Sequence, residues 1–205
     1  MTPRRENSML LYNSAVSGNC YKVRLLAAHL GLPLELHELD VVDRSDRPGL
    51  IGNLSPVLRV PVLVLDDGRP LFESNAIIDY LAENTTYVPA DPYERQQVLA
   101  WQFFEQYEIE PNLAVARFFK LFELEPPAEL WRQKHEGGRK GLEALERGLE
   151  GKEFLVGDRY SVADISVYAY THVAPEGEFD LEPYPRIRGW LDRVAGQPGH
   201  ILITA

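Results

Sequence analysis

Apolar residues near the start of the chain change from strand-like to helix-like spacing. The run MLLYN, Met9–Asn13, predicts a short buried strand. From Asn19 onward the apolar positions recur on one face of a helix, at Val23, Leu26, Ala27 and Leu30. Gly31 and Pro33 are predicted to end it, because glycine is favoured just past a helix and proline does not continue one. The first predicted elements are therefore a strand, a loop and a helix.

Three more strands and a second helix are predicted in the same part of the chain. LELHEL alternates as a strand, and VPVLVLDDGRPLF predicts two strands joined by a turn at Asp67 and Gly68. Ser74 is predicted to cap the helix that follows, which carries Ile77, Ile78 and Leu81. Between these groups, 43–55 is irregular and predicts a loop with at most a short helical turn. The order is βαβ followed by ββα.

After residue 93 the strand patterns stop and helical patterns begin. Helices are predicted over 91–121, 128–149, 162–173 and 186–195, and Gly137 and Gly138 leave open a break in the second. Ser161 and Asp164 have the spacing of a capping box at the start of the third. We therefore predict an α/β domain over 8–86, a linker over 87–93 and an all-helical domain over 94–205.

Composition and charge narrow the classes of function. The chain has 205 residues, 21 basic and 31 acidic, with a formal net charge of -10. This charge argues against nucleic acid as a partner, because phosphate binding requires clustered Lys and Arg. The apolar run VPVLVL is far too short to span a membrane, and the polar start up to Ser8 does not resemble a secretory leader, so we expect a cytoplasmic protein. A single cysteine and five isolated histidines predict no metal site.

Four motifs, in order along the chain, resemble the cytosolic glutathione transferases of bacteria. SGNC, residues 17–20, stands where a thioredoxin carries its two active cysteines, and SPVLRVP, residues 55–61, resembles the segment that ends in Val and a cis-proline. ESNAI, residues 73–77, and FLVGDRYSVADISV, residues 154–167, resemble the family's acidic-Ser helix start and helical-domain signature. The resemblance implies a thioredoxin-like N-terminal domain plus an all-α C-terminal domain, glutathione as cosubstrate without a further cofactor, and a homodimer.

Glutathione presents an ammonium, two carboxylates and a thiol to any site that binds it. The carboxylate of Glu73 suits the ammonium, and Ser74 at a helix N-terminus suits the neighbouring carboxylate. A cis Val60–Pro61 bond would present the backbone of Val60 to the cysteinyl part of the ligand. Arg59 takes the place of a basic residue that meets the glycine carboxylate in relatives, although a solvated strand charge explains it equally well.

Catalysis requires the thiol of glutathione as a thiolate. Ser17 is placed to donate a hydrogen bond to that sulfur, and SGN resembles a variant of the Thr-Pro-Asn stretch of the nu class, in which Asn19 would serve. Tyr12 is a rival, because several classes use a tyrosine just after the first strand, but its register predicts a packed strand residue. Cys20 remains open between a small buried residue and a redox thiol poised by the helix dipole.

The helical domain is expected to hold the second-substrate site, for a small apolar electrophile. Tyr107 and Arg117 are candidates to line it, together with Trp101, Phe104 and Phe118, although aromatic residues at helical spacing usually belong to the core. The expected reaction is conjugation of glutathione to that electrophile. The alternatives are a glutathione-dependent disulfide reductase and a non-catalytic binding or regulatory protein; joint presence of Glu73, Ser74 and Pro61 argues against the latter.

Overall fold

The computed structural model describes residues 8–205, which separate into two compact units. One unit runs up to Glu83 and includes Pro198–Ala205, whereas the other spans Asn84–Gln197. This division differs from the predicted boundaries, since the helical domain was expected to continue through residue 205. The polar start of the chain, from which we expect no secretory leader, lies almost entirely outside the described residues.

The first unit contains a four-stranded sheet flanked by helices. Its elements are β1 (Met9–Asn13), α1 (Gly18–Leu30), β2 (Leu34–Glu38), α2 (Arg47–Ile51), β3 (Val62–Val64), β4 (Pro70–Phe72) and α3 (Ser74–Ala82). The strand order is β2-β1-β3-β4, with β1 and β2 parallel and the other two pairings antiparallel. This is the predicted thioredoxin-like arrangement, and α2 is the short helical turn allowed in the loop over 43–55.

The pairing of β1 with β3 brings two loops to one edge of the sheet. Tyr12 lies opposite Val62 in an antiparallel register, so the chain leaving β1 and the chain entering β3 meet at the same end. The Val60–Pro61 peptide bond at that end is cis, as the family resemblance implies. The loop before α1 and the backbone of Val60 therefore belong to one edge of the first unit.

Pro198–Ala205 packs against α1, and this contact explains its grouping with the first unit. Tyr21 Oη donates a hydrogen bond of 2.7 Å to the carbonyl of Ile201. Arg24 Nη2 donates to the carbonyl of Ile203 at 2.7 Å and to that of Ala15, in the loop before α1, at 3.0 Å. A buried guanidinium thus joins the last residues of the chain to the loop that follows β1.

The second unit is helical, as predicted. Its elements are α4 (Pro92–Phe104), a π-helical segment (Glu105–Ala114), α5 (Val115–Leu121), α6 (Ala128–Gly148), α7 (Val162–Thr171), a 3-10 turn (Ala174–Gly177) and α8 (Pro185–Ala195). The single helix predicted over 91–121 is therefore interrupted by wider turns around Pro111. Proline has no N–H to donate, and the wider π turn accommodates its ring without ending the helical path.

The helix predicted over 128–149 is confirmed, and α6 is continuous through Gly137 and Gly138, where the sequence leaves a break open. A Cβ atom at Gly138 would lie 2.3 Å from the ring of Phe179, and one at Gly137 would lie 2.4 Å from the side-chain oxygen of Asn112. The two glycines let α6 approach its neighbours closely. Packing therefore outweighs their low helix propensity.

The predicted capping box begins α7 and is confirmed. One carboxylate oxygen of Asp164 accepts hydrogen bonds from the backbone N–H of Ser161 at 3.0 Å and from its hydroxyl at 3.1 Å. The other accepts from the Leu155 N–H at 3.0 Å and from Trp190 Nε1 at 2.9 Å. Asp164 is fully buried, so a single carboxylate connects the start of α7 with α8 and the preceding loop.

Candidate functional site

The first turn of α1 begins at Ser17, which is its N-cap. Ser17 Oγ accepts a hydrogen bond from the backbone N–H of Cys20 at 3.3 Å. A hydroxyl accepts through its lone pairs and keeps one proton to donate, so the capping role is compatible with donation to a ligand sulfur. The N-terminal end of α1 also supplies a positive helix dipole at this position.

Three hydrogen bonds connect Asn19, Lys22 and Ser74, and two of them run between α1 and α3. Lys22 Nζ donates to Asn19 Oδ1 at 2.9 Å and to Ser74 Oγ at 3.3 Å. Ser74 Oγ in turn donates to Asn19 Oδ1 at 3.1 Å. Two residues assigned from the sequence to different parts of a glutathione molecule are therefore in direct contact.

The prediction that Ser74 caps α3 is wrong by one residue. Glu73 is the N-cap and Ser74 is the first helical residue, with its hydroxyl bonded across to α1. Glu73 has φ 69° and ψ 116°, makes no side-chain hydrogen bond to its own helix, and is exposed. A positive φ is costly for a residue with a Cβ atom and is found preferentially at ligand-binding positions. The Glu73 carboxylate is therefore exposed at the N-terminal end of α3 and makes no capping hydrogen bond there.

The segment before β3 carries the other predicted glutathione contacts. Arg59 is exposed, Val60 is half-buried and Pro61 is buried. Arg47 holds this segment, because its Nη1 donates to the carbonyl of Leu58 at 3.0 Å. The exposed guanidinium of Arg59 and the backbone of Val60 are therefore presented from an anchored loop.

Cys20 is fully buried against the loop that follows β1. Its sulfur accepts a hydrogen bond from the Ser14 N–H at 3.3 Å. Burial raises the pKa of the Cys20 thiol to about 11, and hydrogen bonds with Ser17 and Ser14 oppose this rise only in part. The thiol is therefore protonated at neutral pH and poorly suited to redox chemistry.

Sequence reasoning missed Lys22. It lies on the buried face of α1 and is 0% exposed, although lysine is rarely buried without a polar partner. A signal was present in the sequence: Lys22 follows Asn19 by three residues, which places both on one side of a helix. Lys22 is thus a charged residue between two buried uncharged residues, Tyr21 and Val23.

The candidates for the second-substrate site differ in exposure. Tyr107, in the π-helical segment, is 75% exposed. Arg117, in α5, is buried, and its Nε lies 2.6 Å from Glu176 Oε2. Trp101 stacks edge-on against Phe104, and Phe118 packs against two neighbouring phenylalanine rings. Tyr107 is therefore accessible to a ligand, whereas Arg117 is buried and paired with a half-exposed Glu176.

Two searches of the described residues concern metals and membranes. Within 8–205, no three His, Cys, Asp or Glu side chains are grouped so that they could hold a metal ion. Over the same residues, no helix has the length and apolar character needed to cross a bilayer.

Comparison with known proteins agrees with this geometry. Residues 11–89 match the N-terminal domain of glutathione S-transferase, and residues 87–198 match its C-terminal domain. A solved glutathione S-transferase from Pseudomonas fluorescens is 44% identical, with a TM-score of 0.91 over 96% of this chain and 99% of that one.

Two curated relatives have different names. Disulfide-bond oxidoreductase YfcG of Escherichia coli is 29% identical over 93% of both proteins. Elongation factor 1-gamma of Danio rerio is 31% identical over 92% of this chain, which spans only 44% of that protein. Matches to both domain models, together with the coverage of the Pseudomonas structure, establish that the chain belongs to the glutathione S-transferase family.

Proposed function

We propose that the protein is a glutathione transferase that joins the glutathione thiolate to a small apolar electrophile. The observation that carries this proposal is the 3.1 Å contact between Ser74 Oγ and Asn19 Oδ1. It brings the start of α1, with Ser17 and Asn19, beside the start of α3, with Glu73 and Ser74. Groups suited to a thiolate and groups suited to an amino acid terminus therefore lie next to each other.

The start of α1 supplies what thiolate formation requires. The unperturbed thiol has a pKa near 8.5, so it is mostly protonated at neutral pH. A hydroxyl donor on Ser17, an amide on Asn19 and the N-terminal dipole of α1 each favour the anion. The thiolate sulfur then forms a bond to the electrophilic carbon, while the thiol proton passes to solvent and a leaving group such as chloride departs.

The start of α3 supplies groups suited to the γ-glutamyl end of glutathione. Glu73 carries an exposed carboxylate for the ammonium, and Ser74 offers a hydroxyl beside the first turn of α3 for the carboxylate. The backbone of Val60 offers strand-like pairing to the cysteinyl part, and Arg59 offers a cation to the glycine carboxylate. Together with the assignments at the start of α1, these use three of the four segments on which the family resemblance rests.

Replacing Ser17 with alanine should slow conjugation of chlorodinitrobenzene by up to about tenfold at pH 7, because the loss of one hydrogen bond raises the bound thiol's pKa by about one unit and lowers the thiolate fraction. The thiolate absorbance of bound glutathione, followed against pH, measures this shift. Tyr12→Phe is the control, since Tyr12 packs in β1 with its ring 5.1 Å from that of His37. Equal rates and equal thiol pKa values in wild type and Ser17→Ala would remove Ser17 from catalysis.

Disulfide reduction is the second candidate, favoured by the relationship to the Escherichia coli oxidoreductase. In this reaction two glutathione molecules give up two electrons and two protons, a disulfide becomes two thiols, and glutathione disulfide forms. The buried Cys20, with its raised pKa, disfavours a route through a protein thiol. The same thiolate site would serve both reactions.

The Cys20→Ser variant should retain conjugation and disulfide reduction rates within about twofold of wild type, because the Cys20 thiol is buried and protonated. Native protein at pH 8 should also resist alkylation by iodoacetamide until denaturant is added. Loss of disulfide reduction with conjugation retained would instead assign Cys20 as a redox thiol.

We also propose that two copies of the chain form a homodimer. The predicted interface near Leu71 and Phe72 lies on β4, where Phe72 is exposed. In the second unit, α4 exposes Leu99 and Phe103, and Phe103 is 55% exposed. These are four residues apart and share one helix face, and such apolar surface supports burial against a second copy.

Sedimentation equilibrium at micromolar concentration should give twice the 23.3 kDa chain mass. Phe103→Glu should shift the protein toward monomer, because it would place a charge in an apolar contact. Lys140→Glu on exposed α6 serves as the control for charge alone. A monomer of wild-type protein under these conditions would contradict the dimer.

A further inference from the structure

Lys22 is a buried cation between two parts of the candidate glutathione site. It is 0% exposed and lies on the face of α1 that packs against α3. Its ammonium reaches Asn19 on its own helix and Ser74 on the next. Removing a charge from water is costly, so other interactions must offset the burial of this lysine, and a functional role would explain why it is there.

The chemistry of the ammonium determines how these groups are oriented. Lysine has three donors and no acceptor, so the side-chain atom of Asn19 that it contacts must be the carbonyl oxygen. Asn19 Oδ1 receives a second hydrogen bond from Ser74 Oγ. The amide of Asn19 is thereby fixed, with its amino group turned away from Lys22 as a donor.

The same contacts define what happens when a carboxylate approaches Ser74. The Ser74 hydroxyl has one proton, which it gives to Asn19 in this structure. Donation to a ligand carboxylate would remove that proton from Asn19 Oδ1. Lys22 would still hold Asn19 Oδ1, so the Asn19 amide would keep its orientation when the other end of the ligand binds.

From this geometry we infer that Lys22 is a positioning residue that couples the thiolate and γ-glutamyl parts of the glutathione site through Asn19 and Ser74. The inference rests on the proposed function, because it assumes that glutathione binds here. Lys22 acts in two ways: it holds Asn19 Oδ1, and its positive charge favours the anionic groups of the ligand.

The test is Lys22→Met, which removes the charge and the donors while keeping an unbranched side chain. Calorimetry with glutathione should give a dissociation constant about tenfold higher than wild type, and the pKa of the bound thiol should rise. Lys140→Met, on the exposed face of α6, should leave both quantities at their wild-type values. If Lys22→Met does not fold, Lys22→Leu, which also removes the charge and the donors, should show the same two changes.

A double-mutant cycle separates positioning from a general structural role. In an Asn19→Ala background, Lys22→Met should shift the bound thiol's pKa less than it does in wild type, because Asn19 carries part of the effect. Equal shifts in both backgrounds would overturn the coupling through Asn19. If wild type binds glutathione and Lys22→Met matches it in affinity and thiol pKa, this inference alone fails. Absence of binding by wild type would overturn the proposed function as well.

Discussion

The free energy of unfolding of the Asp164→Asn variant should be about 3 kcal/mol lower than that of wild type. The carboxylate of Asp164 is fully buried, and the NH2 group of asparagine would face groups that donate hydrogen bonds to it. Each oxygen of Asp164 accepts two hydrogen bonds, so no orientation of an asparagine amide satisfies all four. Burial raises the pKa of Asp164 to about 6, and denaturant titration at pH 8 therefore compares the ionised carboxylate with the amide.

The matched control is Asp158→Asn, the same chemical change at an exposed position. Asp158 has φ 51°, which asparagine adopts readily, so the free energy of unfolding should stay within about 0.5 kcal/mol of wild type. The melting temperature of Asp164→Asn should be roughly 6 to 12 °C lower than that of wild type. Similar stability of the two variants would show that Asp164 does not hold the start of α7.

The Glu73→Gly variant should lose glutathione affinity without losing stability. Removing the carboxylate from the ammonium should weaken binding by about 2 kcal/mol, or roughly thirtyfold. Glycine adopts positive φ without a Cβ penalty, and this gain offsets its greater freedom in the unfolded chain. Calorimetry and thermal unfolding on the same preparation test both parts.

Glu35→Gln, on exposed β2, controls for the loss of one acidic charge in the same unit. It should bind glutathione as wild type does. Unchanged affinity in Glu73→Gly would exclude Glu73 from the site, whereas a large fall in melting temperature would mean that its side chain supports the fold.

Local signals made most of the first unit predictable. Met9–Asn13 is the predicted strand, and α1 ends where Gly31 adopts φ 64°. The hairpin turn, in which Gly68 has φ 88°, also agrees with prediction. Each of these features depends on a few adjacent residues, which a single sequence contains in full.

Features that depend on distant residues were not predictable in the same way. The glycines of α6 signal a helix break by propensity, but Phe179 and Asn112 approach them closely and give them a packing role. The sequence predicts one continuous helix across 105–114, where the structure has a π-helical segment that contains Pro111. Neither outcome can be read without knowing which parts of the chain meet.

The sequence indicated which residues belong to the candidate site, but it did not indicate the hydrogen bonds between them. Ser17, Asn19, Glu73 and Ser74 each follow from helix-start chemistry and family resemblance. The hydrogen bonds that join Asn19 to Ser74 through Lys22 cross from α1 to α3, and they require the packing of two helices separated by three strands. Sequence spacing alone places Lys22 beside Asn19, but it does not place Ser74 there.

The return of Pro198–Ala205 to α1 affects the order in which the protein can be completed during synthesis. Residues 8–83 leave the ribosome long before the carbonyls of Ile201 and Ile203, which accept hydrogen bonds from Tyr21 and Arg24. During translation an N-terminal domain normally completes its folding before the next domain is synthesised. In this protein the contacts between α1 and Pro198–Ala205 can form only after the second unit has been synthesised. A nascent chain that stops at Glu83 therefore leaves this face of α1 exposed.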